Sequence, residues 1–174
     1  MREKIPQPPT EFALTAFANR WLHWEEIAPC FWPGPGGRSA NVNPTLCPVR
    51  FLGGVYLISW SIKAPRELHP SDAAVQYIGE TGEFRRRAGQ FGTSAGLFGP
   101  RAKGHSAAWR WPLGKKEHLW MSFFEVDGAL RPHLAKGMRH WLEGVGLEEY
   151  RQVHGALPPL NRVEDGELRE LVLT

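Results

Sequence analysis

Two tyrosines and a run of arginines are the side chains of this sequence best suited to chemistry on phosphate groups. Tyr56 and Tyr77 lie in short apolar segments, and Arg85, Arg86 and Arg87 follow shortly after the second. A guanidinium fork matches the oxygens of a phosphate, and a tyrosine hydroxyl can position or deprotonate a water. The same residue types are also typical of an ordinary core and a solvated helix, so the types alone leave both interpretations open.

The elements that must position these residues are indicated by apolar periodicity and by glycine and proline stops. The predicted order is β-β-α-α-β-α, which favours an α/β (α+β) fold with a small three-stranded antiparallel or mixed sheet flanked by helices. The predicted strands are 55–60, 75–78 (ended by Gly79) and 119–126, and the predicted helices are 83–91, 106–111 and 131–154, the last with Gly155 as its C-cap.

The chain of 174 residues is expected to form one domain with appendages. Residues 1–52 are predicted to be an N-terminal extension, with a helix over Thr10–Ala28 followed by a loop rich in glycine and proline. Residues 53–162 are predicted to form the main domain, and residues 163–174 a C-terminal tail.

Composition places the protein among soluble globular chains. Eight tryptophans can build a core, and the formal net charge of +3 with a pI near 9.1 is compatible with a phosphate-rich partner. No run of eighteen apolar residues exists, and the N-terminus lacks an apolar signal core. Two cysteines are too few for a disulfide framework and fit a reducing compartment, so we expect a cytoplasmic protein without membrane contact.

Several short motifs together resemble one known family. Gly54-Val55-Tyr56 lies on the first predicted strand and Tyr77-Ile78-Gly79 on the second, and Arg87 follows Gly79 by eight residues. After the long helix comes Pro158-Pro159-Leu160-Asn161. With the predicted element order, these features resemble the GIY-YIG nucleases over about 110 residues, 53–162.

The resemblance implies a metal-dependent endonuclease that hydrolyses phosphodiester bonds in double-stranded DNA with Mg²⁺ or Mn²⁺. It assigns Tyr56 and Tyr77 to handling the attacking water and Arg87 to the phosphate. Basic and polar residues expected to contact nucleic acid are Arg85, Arg86, Lys103, Arg110 and Asn161.

The metal carboxylate has three candidates on the last predicted helix. Glu143 is preferred because Leu147 and Tyr150 continue its face at helical spacing. Glu148 and Glu149 stay open as alternatives. One glutamate is chemically sufficient if waters and phosphate oxygens complete the shell of the cation.

The sequence departs from the family pattern at Phe91, where many members carry a histidine or tyrosine one turn after the arginine. His105 is the candidate replacement for that proton-handling group. Loss of the usual residue at Phe91 also motivates an alternative, a catalytically silent nucleic-acid-binding module on the same fold. A third interpretation, a protein-interaction domain, rests on the exposed-looking Trp109 and Trp111.

Overall fold

A mixed α+β fold is confirmed in the computed structural model, which describes residues 20–30, 52–66, 68–126 and 130–161. The strands are β1 (Leu22–His23), β2 (Gly54–Trp60), β3 (Val75–Thr81) and β4 (Leu119–Glu125). The α-helices are α1 (Trp24–Ile27), α2 (Phe84–Ser94) and α3 (Pro132–His154), and two 3-10 helices span Ala28–Cys30 and Ala107–Arg110.

The four strands form one antiparallel sheet in the order β1-β4-β2-β3. β2 pairs with a neighbour on each side, and six of its seven residues are buried. A strand covered on both faces needs apolar residues at nearly every position, which accounts for the continuous apolar run of β2. β3 lies at one edge, so its outer backbone groups require partners other than a strand.

Two apolar clusters cover the two faces of the sheet because side chains alternate along each strand. One cluster contains Tyr56, Ile58 and Tyr77 together with the buried side of α2, and we call this side the tyrosine face. The other cluster contains Val55 and Leu57 together with the buried side of α3, and we call it the helix face.

The two long helices bury residues at helical spacing. In α2 the buried positions Phe84, Ala88 and Phe91 recur every three or four residues and pack against the tyrosine face. In α3 the buried residues on the helix face recur every four positions, and they are Leu142, Gly146 and Tyr150. α3 begins with Pro132 at its first position and ends at Gly155, whose φ of 72° is the left-handed conformation that glycine adopts readily.

The predicted helix Thr10–Ala28 is wrong for the part of it that the structure describes. Residues 20–28 instead hold the short strand β1, the single turn α1 and the start of a 3-10 helix. Trp21 and Trp24 have helical spacing in the sequence, but they do not share one helix face. Trp21 packs in the helix-face cluster and Trp24 in the tyrosine-face cluster. Since β1 pairs with β4, the boundary predicted at residue 52 divides a single sheet.

β3 does not end at Gly79 as predicted but continues to Thr81, and α2 extends to Ser94 rather than Phe91. The predicted strands at 55–60 and 119–126, the helix at 131–154 and the short helix at 106–111 are confirmed within one or two residues. The fourth strand, β1, is the addition that the sequence did not indicate.

Two further predictions concern the compartment. Cys30 is disulfide-bonded, so the cysteine argument for a reducing compartment is not supported; Cys47, the other cysteine of the sequence, lies outside the described residues. Among the helices described, none combines the length and apolar character needed to span a bilayer.

Candidate active site

Tyr56 and Tyr77 lie on adjacent antiparallel strands and share the tyrosine face. Their ring centroids are 5.7 Å apart, and Tyr56 pairs across the strands with Gly79. A Cβ atom at Gly79 would lie 2.9 Å from the Tyr56 ring and closer still to that of Tyr77. A side chain at Gly54 would collide with the carbonyl of Phe124. Both signature glycines are therefore required for the strands and the tyrosine rings to approach closely.

Arg87 reaches the tyrosines from α2. It stands next to the buried Ala88 and one turn after Phe84, so its stem follows the buried side of the helix. The Arg87 Nε–H donates a hydrogen bond of 3.1 Å to the Tyr56 hydroxyl oxygen. Burial lowers the pKa of Arg87, but the charges and hydrogen bonds of Tyr56 and Tyr77 outweigh it, so the net shift of that pKa is upward.

His105 is the second partner of the Tyr56 hydroxyl, with Nε2 at 2.8 Å. Its backbone N–H donates to Ser94 Oγ at 2.8 Å, and that hydroxyl donates in turn to the Ala102 carbonyl. Phe91 packs edge-on against the imidazole at a centroid distance of 5.3 Å. The departure at Phe91 and the candidate replacement at His105 are thus physically connected, because the phenylalanine forms one wall around the histidine.

The hydrogen-bond directions follow from the donors available. The Arg87 guanidinium can only donate, so the Tyr56 oxygen accepts from it. In the tautomer of His105 that carries its proton on Nδ1, the Tyr56 hydroxyl donates to Nε2. This arrangement requires an unprotonated Nε2. Burial, and then the charges of Arg87 and Arg110, lower the pKa of His105 to about 3, in agreement with a neutral ring. Burial also raises the pKa of Tyr56 to about 12, although Arg87 and Tyr77 oppose that rise.

The other ring nitrogen of His105 differs from Nε2 in its surroundings. Nδ1 of His105 is buried and has no hydrogen-bond partner among the residues that the structure describes. With Nε2 accepting from Tyr56, the remaining proton of the neutral ring lies on Nδ1. A buried donor without a partner costs about 1–3 kcal/mol, so this site is less stable than an apolar core would be.

The three candidate glutamates occupy different surroundings. The negative charge of Glu143 contributes to raising the pKa of Tyr56, so Glu143 is the candidate whose field reaches the tyrosines. Glu148 is bound at 2.7 and 2.8 Å by Arg151 on the exposed surface. Glu149 lies 3.7 Å from His69. This placement favours Glu143 over the two alternatives.

Four of the five predicted nucleic-acid contacts are basic, and they do not converge on the tyrosines as a group. Arg85 is partly buried and donates from Nε to the Cys30 carbonyl at 2.7 Å. Arg86 is exposed and lies 3.7 Å from Glu83. Lys103 is also exposed, whereas Arg110 is partly buried and its charge acts on His105. Arg110 therefore lies nearer the candidate site than the sequence indicated, and no spacing signal could have shown it.

Asn161 does not sit where a nucleic-acid contact is expected. Its side chain is 5 % exposed, accepting from the Ile78 N–H at 2.9 Å and donating to the Ile78 carbonyl at 2.7 Å. Leu160 adds a third bond by donating its N–H to Gln76. Arg110 donates to the Leu160 carbonyl. The segment at 160–161 thus replaces a missing neighbour strand along the β3 edge and joins it to the 3-10 helix beside His105.

The predicted metal can be compared with the donors present. The described part of the chain contains no group of three or more His, Cys, Asp or Glu side chains that could hold an ion. Glu143 is the one of the three candidate carboxylates whose charge acts on Tyr56, and a magnesium ion that keeps most of its waters needs few protein ligands. The donor set fits such a hydrated cation with Glu143 as its protein ligand.

The site is closed to solvent in this conformation. Tyr56 and Tyr77 are each 1 % exposed and His105 is fully buried, while Arg87 is half-buried. Polar groups are rarely held at such depth unless they bond to each other, and here Arg87, Tyr56 and His105 do so.

Comparison of the chain with protein families, with curated proteins and with solved structures found no match. The resemblance of its motifs to the GIY-YIG nucleases therefore stays a prediction, and the geometry of the site carries the functional argument.

Proposed function

We propose that the protein is a metal-dependent endonuclease that hydrolyses phosphodiester bonds in DNA. The observation that supports this most directly is the Tyr56 hydroxyl held between the Arg87 guanidinium, at 3.1 Å, and the imidazole of His105, at 2.8 Å. A hydroxyl with a cation on one side and a neutral base on the other suits the handling of an attacking water beside an anionic phosphate.

Each residue has a part that its chemistry allows. Arg87 compensates the charge on the phosphoryl oxygens. As the water oxygen bonds to phosphorus, one water proton passes to the Tyr56 oxygen, and the Tyr56 proton passes to His105 Nε2. The bond from phosphorus to the leaving oxygen breaks, and that oxygen takes up a proton from solvent. Tyr77 contributes a hydrogen bond that lowers the pKa of Tyr56.

The resting protein does not yet favour this transfer. With the pKa of Tyr56 near 12 and that of His105 near 3, the proton stays on the tyrosine. Burial is the largest cause of the low pKa of His105, and the charges of Arg87 and Arg110 lower that pKa further. A phosphate anion bound beside these arginines offsets their charge, raises the pKa of His105 and strengthens it as a base. Substrate binding thus prepares the base for the reaction.

Glu143 is the residue that would hold a divalent cation. When bound, magnesium or manganese supplies charge compensation on the phosphate oxygens and helps the leaving group depart. Glu143 contributes its carboxylate from α3, and its own negative charge raises the pKa of Tyr56.

A plasmid-nicking assay with and without EDTA tests the proposal. We expect nicking with magnesium, none with EDTA, and loss of nicking in Tyr56→Phe, which removes the hydroxyl and keeps the ring. Tyr150→Phe is the matched control, since Tyr150 is also buried but lies on the helix face. Equal nicking by Tyr56→Phe and the wild-type protein would contradict the proposed chemistry.

The alternative is a silent nucleic-acid-binding module, and the burial of both tyrosines and His105 is the observation that favours it. A closed site admits neither water nor phosphate until it opens. The same experiment separates the two functions: a silent module binds DNA in an anisotropy assay, nicks nothing with either metal, and binds equally well as Tyr56→Phe.

A further inference from the structure

Trp109 is the exposed one of the two tryptophans beside Arg110. Its exposure is 45 %, whereas Trp111 is 2 % exposed and belongs to the tyrosine-face cluster. The expectation that both are exposed is thus wrong for Trp111. Tryptophan is enriched at interfaces because its large ring offers apolar contact area while its N–H can still bond to a partner.

Arg101 fixes this tryptophan in place. Its guanidinium donates to the Trp109 carbonyl at 3.0 Å and also to the Trp111 carbonyl. The Arg101 Cζ lies over the Trp109 ring, 5.6 Å from its centroid. A cation over one side of the indole and two bonds to the backbone preorganise the ring while leaving a large part of it in solvent.

The segment that carries Trp109 has charged residues of one sign. The segment 101–116 contains five basic residues and no acidic residue; the basic residues are Arg101, Lys103, Arg110, Lys115 and Lys116. Lys115 and Lys116 each face a glutamate, at 3.6 Å. Lys103 is exposed on the same segment. A cationic segment around an exposed aromatic ring complements a partner that carries both phosphates and planar bases.

Trp109 is also continuous with the candidate site. The Ala108 N–H donates to the His105 carbonyl at 3.2 Å, and the Trp109 N–H donates to the Ser106 carbonyl at 3.3 Å. His105 and Trp109 therefore belong to one tight turn, with the imidazole directed into the tyrosine face and the indole directed to solvent.

We infer that Trp109 is a stacking platform for an unpaired nucleobase next to the phosphate that is cut. The inference rests on the proposed function and narrows its substrate class. Bases inside a regular duplex have both faces covered by neighbours, so a platform of this kind selects DNA with a junction, a flap or another unpaired base. Cleavage is then directed to the phosphate that adjoins the unpaired base.

Binding measurements in EDTA test this without any cleavage. The probes are a plain duplex and a duplex with a single-stranded flap, the latter with 2-aminopurine as the first unpaired base. Stacking on Trp109 quenches 2-aminopurine, and we expect Trp109→Ala to remove the quenching and to weaken flap binding about tenfold, leaving duplex binding unchanged. Trp109→Phe should retain most of both effects. Leu113→Ala is the matched control, because Leu113 is an exposed apolar residue of the same segment.

The outcomes separate this inference from the proposed function. If the wild-type protein binds both probes and Trp109→Ala matches it on both, with quenching intact, the platform is wrong and the nuclease proposal is untouched. Equal weakening on both probes likewise overturns the platform, since it indicates a general loss of affinity. If the wild-type protein binds neither probe, both proposals fail. If Trp109→Ala keeps the preference for the flap over the duplex, the exposed indole does not bind a nucleobase, and a protein becomes its expected partner.

Discussion

The tyrosine face and the helix face of the sheet are buried to the same degree but are built from different residues. On the helix face, Val55, Leu57 and Leu142 pack with aromatic side chains in an apolar core. On the tyrosine face, the core includes the hydrogen-bonded group of Arg87, Tyr56 and His105. Burying polar groups is costly even when they are paired, and His105 Nδ1 has no partner among the described residues. The polar group on the tyrosine face is therefore better explained by a chemical role than by stability alone.

The largest expected effect comes from removing the cation of the tyrosine face. Arg87→Ala should lower the cleavage rate by about a hundredfold to a thousandfold, because a positioned donor to the transition-state phosphate is lost. Single-turnover nicking rates measure this. Arg86→Ala is the neighbouring control, since Arg86 is exposed and lies 3.7 Å from Glu83. Equal losses in the two variants would mean that Arg87 has no special position.

Neighbouring residues of α3 make the comparison sharper. Leu142 is fully buried on the helix face, so Leu142→Ala should reduce the free energy of unfolding by about 2–5 kcal/mol through lost burial and a cavity. Urea denaturation measures the loss. Cleavage per folded molecule should be unchanged, because Leu142 belongs to the helix-face cluster, whereas Tyr56 belongs to the tyrosine-face cluster. A selective loss of cleavage in this variant would mean that the two faces are not separate in function.

Glu143, the next residue, should behave in the opposite way. Glu143→Gln should strongly reduce magnesium-dependent nicking while DNA binding is retained or improved, since a negative charge near the phosphates is lost. The free energy of unfolding of the Glu143→Gln variant should change little, because Glu143 is only partly buried. Nicking and anisotropy assays give the two readouts. Glu148→Gln is the control, because Arg151 holds Glu148 on the exposed surface. A dead Glu148→Gln with an active Glu143→Gln would reassign the carboxylate.

Local sequence patterns predict the main strands and the long helix, but they do not predict the short strand β1. Strand alternation places Tyr56 and Tyr77 on one side, and helical spacing gives the buried side of α3. These patterns are local, and the antiparallel register then brings the tyrosines together. β1 escapes prediction because two residues are too few to show alternation, and the tryptophans beside it have helical spacing although they pack on opposite faces.

Contacts between segments that are far apart in the chain could not be predicted from the sequence. His105 meets Tyr56 across 49 positions, at the end of a glycine-rich stretch with no periodicity. Asn161 was identified by its motif, but its use as a clamp on Ile78 depends on β3 being an edge strand, which no local pattern reveals. The Arg110 bond to Leu160 joins segments that are likewise far apart in the chain.

The smallest expected effect concerns protonation of the tyrosine face. His105 stays neutral in the folded protein down to about pH 3, whereas in the unfolded chain it binds a proton below about 6.5. The unfolded state therefore binds more protons in this window, and the free energy of unfolding falls as the pH falls through it, by up to about 1.4 kcal/mol per pH unit. The helix face contributes no such group from its buried residues.

His105→Gln isolates this contribution, because the amide can still accept from Tyr56 but does not titrate. Urea denaturation at pH 7 and pH 5 should show the wild-type protein losing about 2 kcal/mol more stability than the variant over that interval. The other histidines are present in both proteins, so any contribution from them cancels in the difference. Parallel pH profiles would mean that His105 gains its proton as readily in the folded state as in the unfolded chain. The imidazole would then lie in contact with water, and the closed tyrosine face on which the proposed proton transfer depends would not be the resting state in solution.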